Sequence, residues 1–117
     1  MKICEIQKHL NARVLTCENL LDRDVNSACG SDMMSDVLAF VKDQAVLLTG
    51  LVNPQVVRTA MMMDMLCIVF VRNKKPSRDI LDLADENGIV VMTTEKRLFD
   101  ACGILYTNGL QGAQVDG

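Results

Sequence analysis

Residues 45–102 read AVLLTGLVNPQVVRTAMMMDMLCIVFVRNKKPSRDILDLADENGIVVMTTEKRLFDAC, and in this stretch one pattern occurs three times: a short apolar run, a polar turn, then an amphipathic segment. The runs are Ala45-Val46-Leu47-Leu48, Leu66-Cys67-Ile68-Val69-Phe70-Val71 and Ile89-Val90-Val91-Met92. None alternates polar with apolar as a strand with one wet face does, so all three are expected as buried parallel strands. The segments between them carry helix signals. Asn53-Pro54 supplies a cap and a first-turn proline to a helix continuing through Val56, Val57, Ala60 and Met61. Ser77 is expected to cap the next, whose Ile80, Leu81, Leu83 and Ala84 form a core stripe before Asn87-Gly88 ends it. For the third, Thr94 is read as the cap, Glu95 as the complement to the dipole, Leu98, Phe99 and Cys102 as the inward face, and Gly103 as the stop. Strand, helix and strand in succession imply right-handed crossovers.

Outward from this core the signals weaken. Ile3, Ile6 and Leu10 share one helical face, so Lys2 to Leu10 is expected as an amphipathic helix. Arg13 to Cys17 and Val25 to Gly30 read as strands of lower hydrophobicity, separated by the turn Asp22-Arg23-Asp24 and suited to a sheet edge. Ser31 or Asp32 then caps a helix carrying Val37, Leu38, Phe40 and Val41. The fold class is a three-layer α/β/α domain with an open, mostly parallel sheet, the N-terminal edge strands being the candidates for antiparallel pairing. One domain spans residues 1–110, and the polar, glycine-containing residues 111–117 are read as a flexible tail.

Composition excludes several classes of function. Half of the residues are hydrophobic, yet Phe40, Phe70, Phe99 and Tyr106 are the only aromatics, so aliphatic residues and eight methionines must fill the core. A net charge of -3 and the lack of stacking platforms oppose nucleic-acid binding. No apolar stretch approaches the ~20 residues a membrane helix requires, and Glu5 interrupts what would be a leader, so a cytoplasmic protein with no membrane contact is expected. Cys4, Cys17, Cys29, Cys67 and Cys102 are odd in number and scattered, which reads as reduced thiols; without a CxxC pair and with His9 as the only histidine, no metal site and no cofactor are expected.

In an open parallel sheet, ligands collect at the carboxyl ends of the strands, where helix N-termini point N–H groups into a crevice. Three turns fall there. Thr49-Gly50-Leu51-Val52-Asn53 places a hydroxyl, a glycine and a helix cap within five residues, which suits a phosphate or carboxylate and equally suits an ordinary strand-to-helix turn. Arg72-Asn73-Lys74-Lys75-Pro76-Ser77-Arg78 concentrates four positive charges ahead of a helix, a reversal of sign in an acidic chain, against which stands the reading as a solvated loop. Thr93-Thr94 brings hydroxyls to the third turn, with Thr93 the freer to face the crevice. Asp32, Ser35 and Asp36 are spaced for helix capping rather than for magnesium. Neither GxGxxG nor GxxxxGK[ST] occurs, there is no GxSxG elbow, and no cysteine has a neighbouring histidine, so catalytic residues are not expected.

The span from Met33 to Leu110 resembles the DRTGG domain family. The residues that carry the resemblance are Ser35-Asp36-Val37-Leu38-Ala39, Val46-Leu47-Leu48-Thr49-Gly50, Ile68-Val69-Phe70-Val71, Ile80-Leu81-Asp82-Leu83-Ala84, Gly88-Ile89-Val90-Val91 and Thr93-Thr94. Where the family has Asp-Arg this chain aligns Val52-Asn53, and where it has Thr-Gly-Gly the chain aligns Arg72-Asn73-Lys74. The resemblance implies a non-catalytic accessory domain, of the kind that accompanies CBS domains in regulated pyrophosphatases, helps to form dimers, or stands alone.

The leading functional expectation is therefore a homodimeric regulatory or ligand-sensing domain, not an enzyme. Its ligand would be a small anionic metabolite or nucleotide held by Thr49, Gly50, Asn53, Arg72, Asn73, Lys74 and Thr93. The alternative is a protein–protein interaction module using exposed methionines, since Met61, Met62 and Met63 cannot all face the core of one helix. A small enzyme dependent on a cysteine or a carboxylate is the third reading.

Overall fold

A computed structural model describes residues 1–40 and 44–112, the side chain of Phe40 excepted. In chain order the elements are α1 (Ile3–Leu10), β1 (Arg13–Val14), a 3-10 turn (Glu18–Leu20), β2 (Ser27–Gly30), α2 (Met34–Phe40), β3 (Ala45–Thr49), α3 (Pro54–Met62), β4 (Cys67–Phe70), α4 (Arg78–Glu86), β5 (Val90–Thr93) and α5 (Leu98–Thr107). The sheet order is β1-β5-β4-β3-β2. Strands β2 to β5 are parallel, and β1 alone pairs antiparallel, with β5. The three apolar runs are thus adjacent central strands, and every residue of β3, β4 and β5 is buried.

Burial on both faces follows from the layering. One face turns Ala45, Leu47, Ile68, Phe70 and Val91 toward Val37 of α2, Val56, Val57 and Ala60 of α3 and Ile80 and Ala84 of α4. The other turns Val46, Leu48, Cys67, Val69, Val90 and Met92 toward Ile3, Ile6 and Leu10 of α1 and Ala101 and Leu105 of α5. Period-two alternation in each run feeds two cores at once, which is why no polar residue interrupts it.

The two N-terminal strands lie at sheet edges as their weaker hydrophobicity implies, but at opposite edges, and β2 is parallel. The expected strand from Arg13 to Cys17 stops at Val14. Beyond it the Thr16 hydroxyl accepts from the Val91 amide at 2.8 Å and donates to the Ile89 carbonyl at 2.7 Å, a side chain taking the place of backbone pairing. Cys17 then turns into the left-handed region at φ 52°.

Three local expectations are corrected. Asn53 caps α3 through its side chain, accepting from Val56 N at 3.3 Å, but Thr94 does not cap α5, which begins at Leu98 after Arg97, so that Asp100 rather than Glu95 is the acid of its first turn. Gly103 does not end α5: Ile104 and Leu105 continue the apolar stripe and the helix runs to Thr107, since a mid-helix glycine costs about 1 kcal/mol without forbidding the conformation. Phe99 does not face inward; it is 88% exposed, and Leu38 on α2 is also exposed. Val41 and the tail residues 113–117 lie outside the described residues. Ala28 N donates to the Gln111 carbonyl at 3.0 Å, so the chain after α5 returns along the open edge of β2. No helix among the described residues is long and apolar enough to cross a membrane.

Candidate functional site at the carboxyl rim of the sheet

Strands β2 to β5 follow one another across the sheet, and the loops after β3 and β4 lead to helices on one face. The loop after β5 leads instead to α5 on the other face. Loops that part to opposite faces from adjacent parallel strands make a crevice, and here that point lies between the carboxyl ends of β4 and β5. The loops are laced across it. Arg72 N donates to the Lys96 carbonyl at 2.8 Å and Asn73 N to the Thr94 carbonyl at 2.7 Å, while Thr93 Oγ1 donates to the Lys74 carbonyl at 2.8 Å. Thr94, read from sequence as a cap, is buried and donates to the Leu10 carbonyl at 2.8 Å while its hydroxyl accepts from Lys96 N at 3.3 Å. It thereby ties the C-terminal end of α1 to the rim, a role that nothing in its local sequence signals.

The turn after β3 is filled by the protein itself. Asp32, expected as a cap of α2, reaches across the end of the sheet instead, leaving Ser31 Oγ to accept from Met33 N at 3.0 Å. One oxygen of its carboxylate accepts from Thr49 Oγ1 at 3.0 Å and from Gly50 N at 2.7 Å, and the Thr49 hydroxyl in turn accepts from Leu51 N at 3.1 Å. An anion was expected at this turn from the residue types, and a carboxylate of the same chain occupies that position. Asp32 is the site residue that the local reading missed. Its signal is an acid just after β2, which pairs in register with β3 and so brings the two strand ends together.

Above Gly50 lies Arg72. A Cβ at Gly50 would stand 2.7 Å from Arg72 Nη2, so the guanidinium lies directly against the glycine and would have to swing aside for a larger residue. Arg72 and Asn73 adopt left-handed φ values of 58° and 54° in succession, a conformation that glycine adopts most readily. Among the described residues the one salt bridge joins Arg78 and Asp82 on the surface, at 3.7 Å, so the exposed Arg72 guanidinium carries its charge unpaired.

Of the seven expected residues, the fold brings Thr49, Gly50 and Arg72 into one contact group and Asn73, Lys74 and Thr93 into a second, joined at the backbone of the Arg72 loop. Asn53 lies at the start of α3 with its side chain engaged in the cap. The loop of Arg72 meets the turn of Gly50 in contact rather than across an open cleft. Hollows occur elsewhere: one of about 340 Å³ at the amino ends of β4 and β5, lined by Arg23, Asp64, Leu66 and Gly88, and one of about 360 Å³ beside Thr16, Cys17 and Asp85. In the second, Cys17 Sγ donates to Asp85 Oδ1 at 3.4 Å, and burial together with that carboxylate pushes the thiol pKa up. Burial also raises the thiols of Cys29, Cys67 and Cys102, so these side chains favour the protonated form over the nucleophilic thiolate.

The fold and the rim define a small α/β domain with a mostly parallel five-stranded sheet. The DRTGG domain model matches residues 5–107, nearly the whole chain, and the protein belongs to that family. The match begins within α1, so α1 and β1 are part of the family's domain, beyond the stretch from Met33 in which the resemblance is visible by eye. Among solved structures the chain is similar to the CBS and DRTGG domains of the regulatory region of Clostridium perfringens pyrophosphatase, complexed with the activator diadenosine tetraphosphate; the TM-score is 0.74 at 19% identity. The likeness covers 89% of this chain and 45% of the other, so this chain spans less than half of that regulatory region. No curated protein matches the sequence.

Proposed function

We propose that this DRTGG domain is a non-catalytic regulatory module that senses a small anionic metabolite, of the nucleotide phosphate class, at the carboxyl rim of its sheet. The ligand contacts are assigned to Thr49, Gly50, Asn53, Arg72, Asn73, Lys74 and Thr93, and the working state is a homodimer with no resident cofactor, in the cytoplasm. The single observation that carries this reading is the unpaired Arg72 guanidinium held over the Gly50 turn, with Lys74 and Lys75 exposed on the same loop. A guanidinium presents donors in a fixed fork that matches phosphate. Asp32 supports the reading in a second way: the Thr49 hydroxyl and Gly50 amide already bind an oxyanion, and a phosphate that enters competes with that carboxylate. The activator bound by the Clostridium perfringens region is a nucleotide polyphosphate, which agrees in chemical class.

Thermal unfolding in the presence of ATP, ADP, diadenosine tetraphosphate and acyl phosphates tests the proposal. A ligand at 100 times its dissociation constant adds about 2.7 kcal/mol of stability. The expected result is a rise in Tm with a nucleotide that Arg72→Ala abolishes. No response across the panel, or an undiminished response in Arg72→Ala, contradicts it. A protein–protein interaction module is the second reading, favoured by Met33 and Met62, exposed at 61% and 69%. Binding of a partner with no nucleotide response would select it.

A further inference from the structure

The outer face of α5 carries two of the chain's four aromatic residues, and both are exposed, Phe99 at 88% and Tyr106 at 60%. They stand seven positions apart, two helical turns, and therefore on one face. Between them lies Gly103, around whose Cβ direction no atom comes within 4 Å. Phe99 is thus a knob beside a shallow groove of about 440 Å³ that it shares with Lys96, Asp100, Gly103, Ile104 and Thr107. Lys96 and Arg97 flank the N-terminus of α5 beside the acids Glu95 and Asp100, and the last turn has no basic residue.

We infer that α5 pairs with α5 of a second copy, antiparallel about a two-fold axis, and that this face is the dimer surface of the homodimer proposed above. A two-fold interface must present a surface complementary to itself. Setting Phe99 of one copy into the groove at Gly103 of the other does this twice, because the same register returns Phe99 of the second copy to Gly103 of the first. In that register Lys96 comes opposite Tyr106 of the other copy, and Lys96 and Arg97 meet the last turn of its helix, where the dipole is negative and no cation stands. Aromatic side chains bury about 150–250 Å² each, so the two Phe99 and two Tyr106 rings supply on the order of half of the ~1,200 Å² that a stable interface needs.

Analytical ultracentrifugation of the full chain over a dilution series tests the assignment, in the unmodified protein and in Phe99→Ser and Gly103→Leu. Far-UV circular dichroism checks that each variant is folded. Gly103→Leu is chosen because its side chain points into open space and improves helix propensity, so it fills the groove without disturbing the core. Tyr106 is the only tyrosine and the chain has no tryptophan, so tyrosine fluorescence reports on this face alone. The expected result is a dimer whose dissociation constant rises at least tenfold in both variants, with the Tyr106 signal changing on dilution in parallel. A dimer that persists in both variants, with Tyr106 insensitive to dilution, overturns the α5 assignment and leaves the homodimer with another surface. A monomer at every concentration overturns the homodimer as well, while the nucleotide test at Arg72 stands apart from both outcomes.

Discussion

The carboxyl rim and the outer face of α5 treat their chemistry in opposite ways. At the rim the hydrogen-bonding groups of Thr49, Gly50, Thr93 and Thr94 are bonded within the chain, and the Arg72 guanidinium is left with unpaired charge. On α5 the polar bookkeeping is unremarkable, and what is left over is apolar: an exposed phenylalanine and tyrosine astride an empty glycine. The difference teaches what separates the two proposals, since each region leaves a different chemistry unsatisfied. Unpaired charge beside a filled oxyanion position suits an anion, whereas an uncovered knob beside a hole suits a second protein surface.

The sharpest break between buried and displayed chemistry is expected at two phenylalanines. Phe70, fully buried on β4, should cost about 3–5 kcal/mol on replacement by alanine, read as a lowered midpoint in urea unfolding. An unaltered midpoint would mean that the central strands are not packed as described. Next in size, Thr94→Val leaves the Leu10 carbonyl and the Lys96 amide without their partner, a loss of about 1–3 kcal/mol by the same measurement. A neutral Thr94→Val would show that the lacing of α1 to the rim contributes nothing. The smallest effect belongs to Phe99→Ala, which in dilute monomer should stay within about 0.5 kcal/mol of the parent chain. A loss comparable to that of Phe70 would place Phe99 in the core and remove the knob.

The central fold was legible because its signal is redundant. Each of the runs at Ala45, Cys67 and Val90 is apolar on both faces, and each is followed by helix signals, so the parallel three-layer architecture follows from pattern alone. The rim was legible as a set of residue types at strand ends, and three of them, Thr49, Gly50 and Arg72, do meet. What could not be read was long-range. Asp32 acts through a partner 17 positions away and Thr94 through one 84 positions away, and neither leaves a local spacing to find. Phe99 was misplaced for a different reason. Hydrophobicity along α5 is high on every side, so the helical pattern does not separate the face that packs on the sheet from the face that is left exposed.

Amide chemical-shift mapping by NMR, during titration of the folded protein with diadenosine tetraphosphate and with ATP, addresses the rim most directly. Saturable shifts are expected at Gly50, Leu51, Arg72, Asn73 and Lys74, growing in Asp32→Asn, where the competing carboxylate charge is gone. Shifts confined to the Arg23 and Gly88 hollow at the opposite ends of the strands, or no saturable shift at millimolar ligand, would contradict the assignment of this rim as the sensing site.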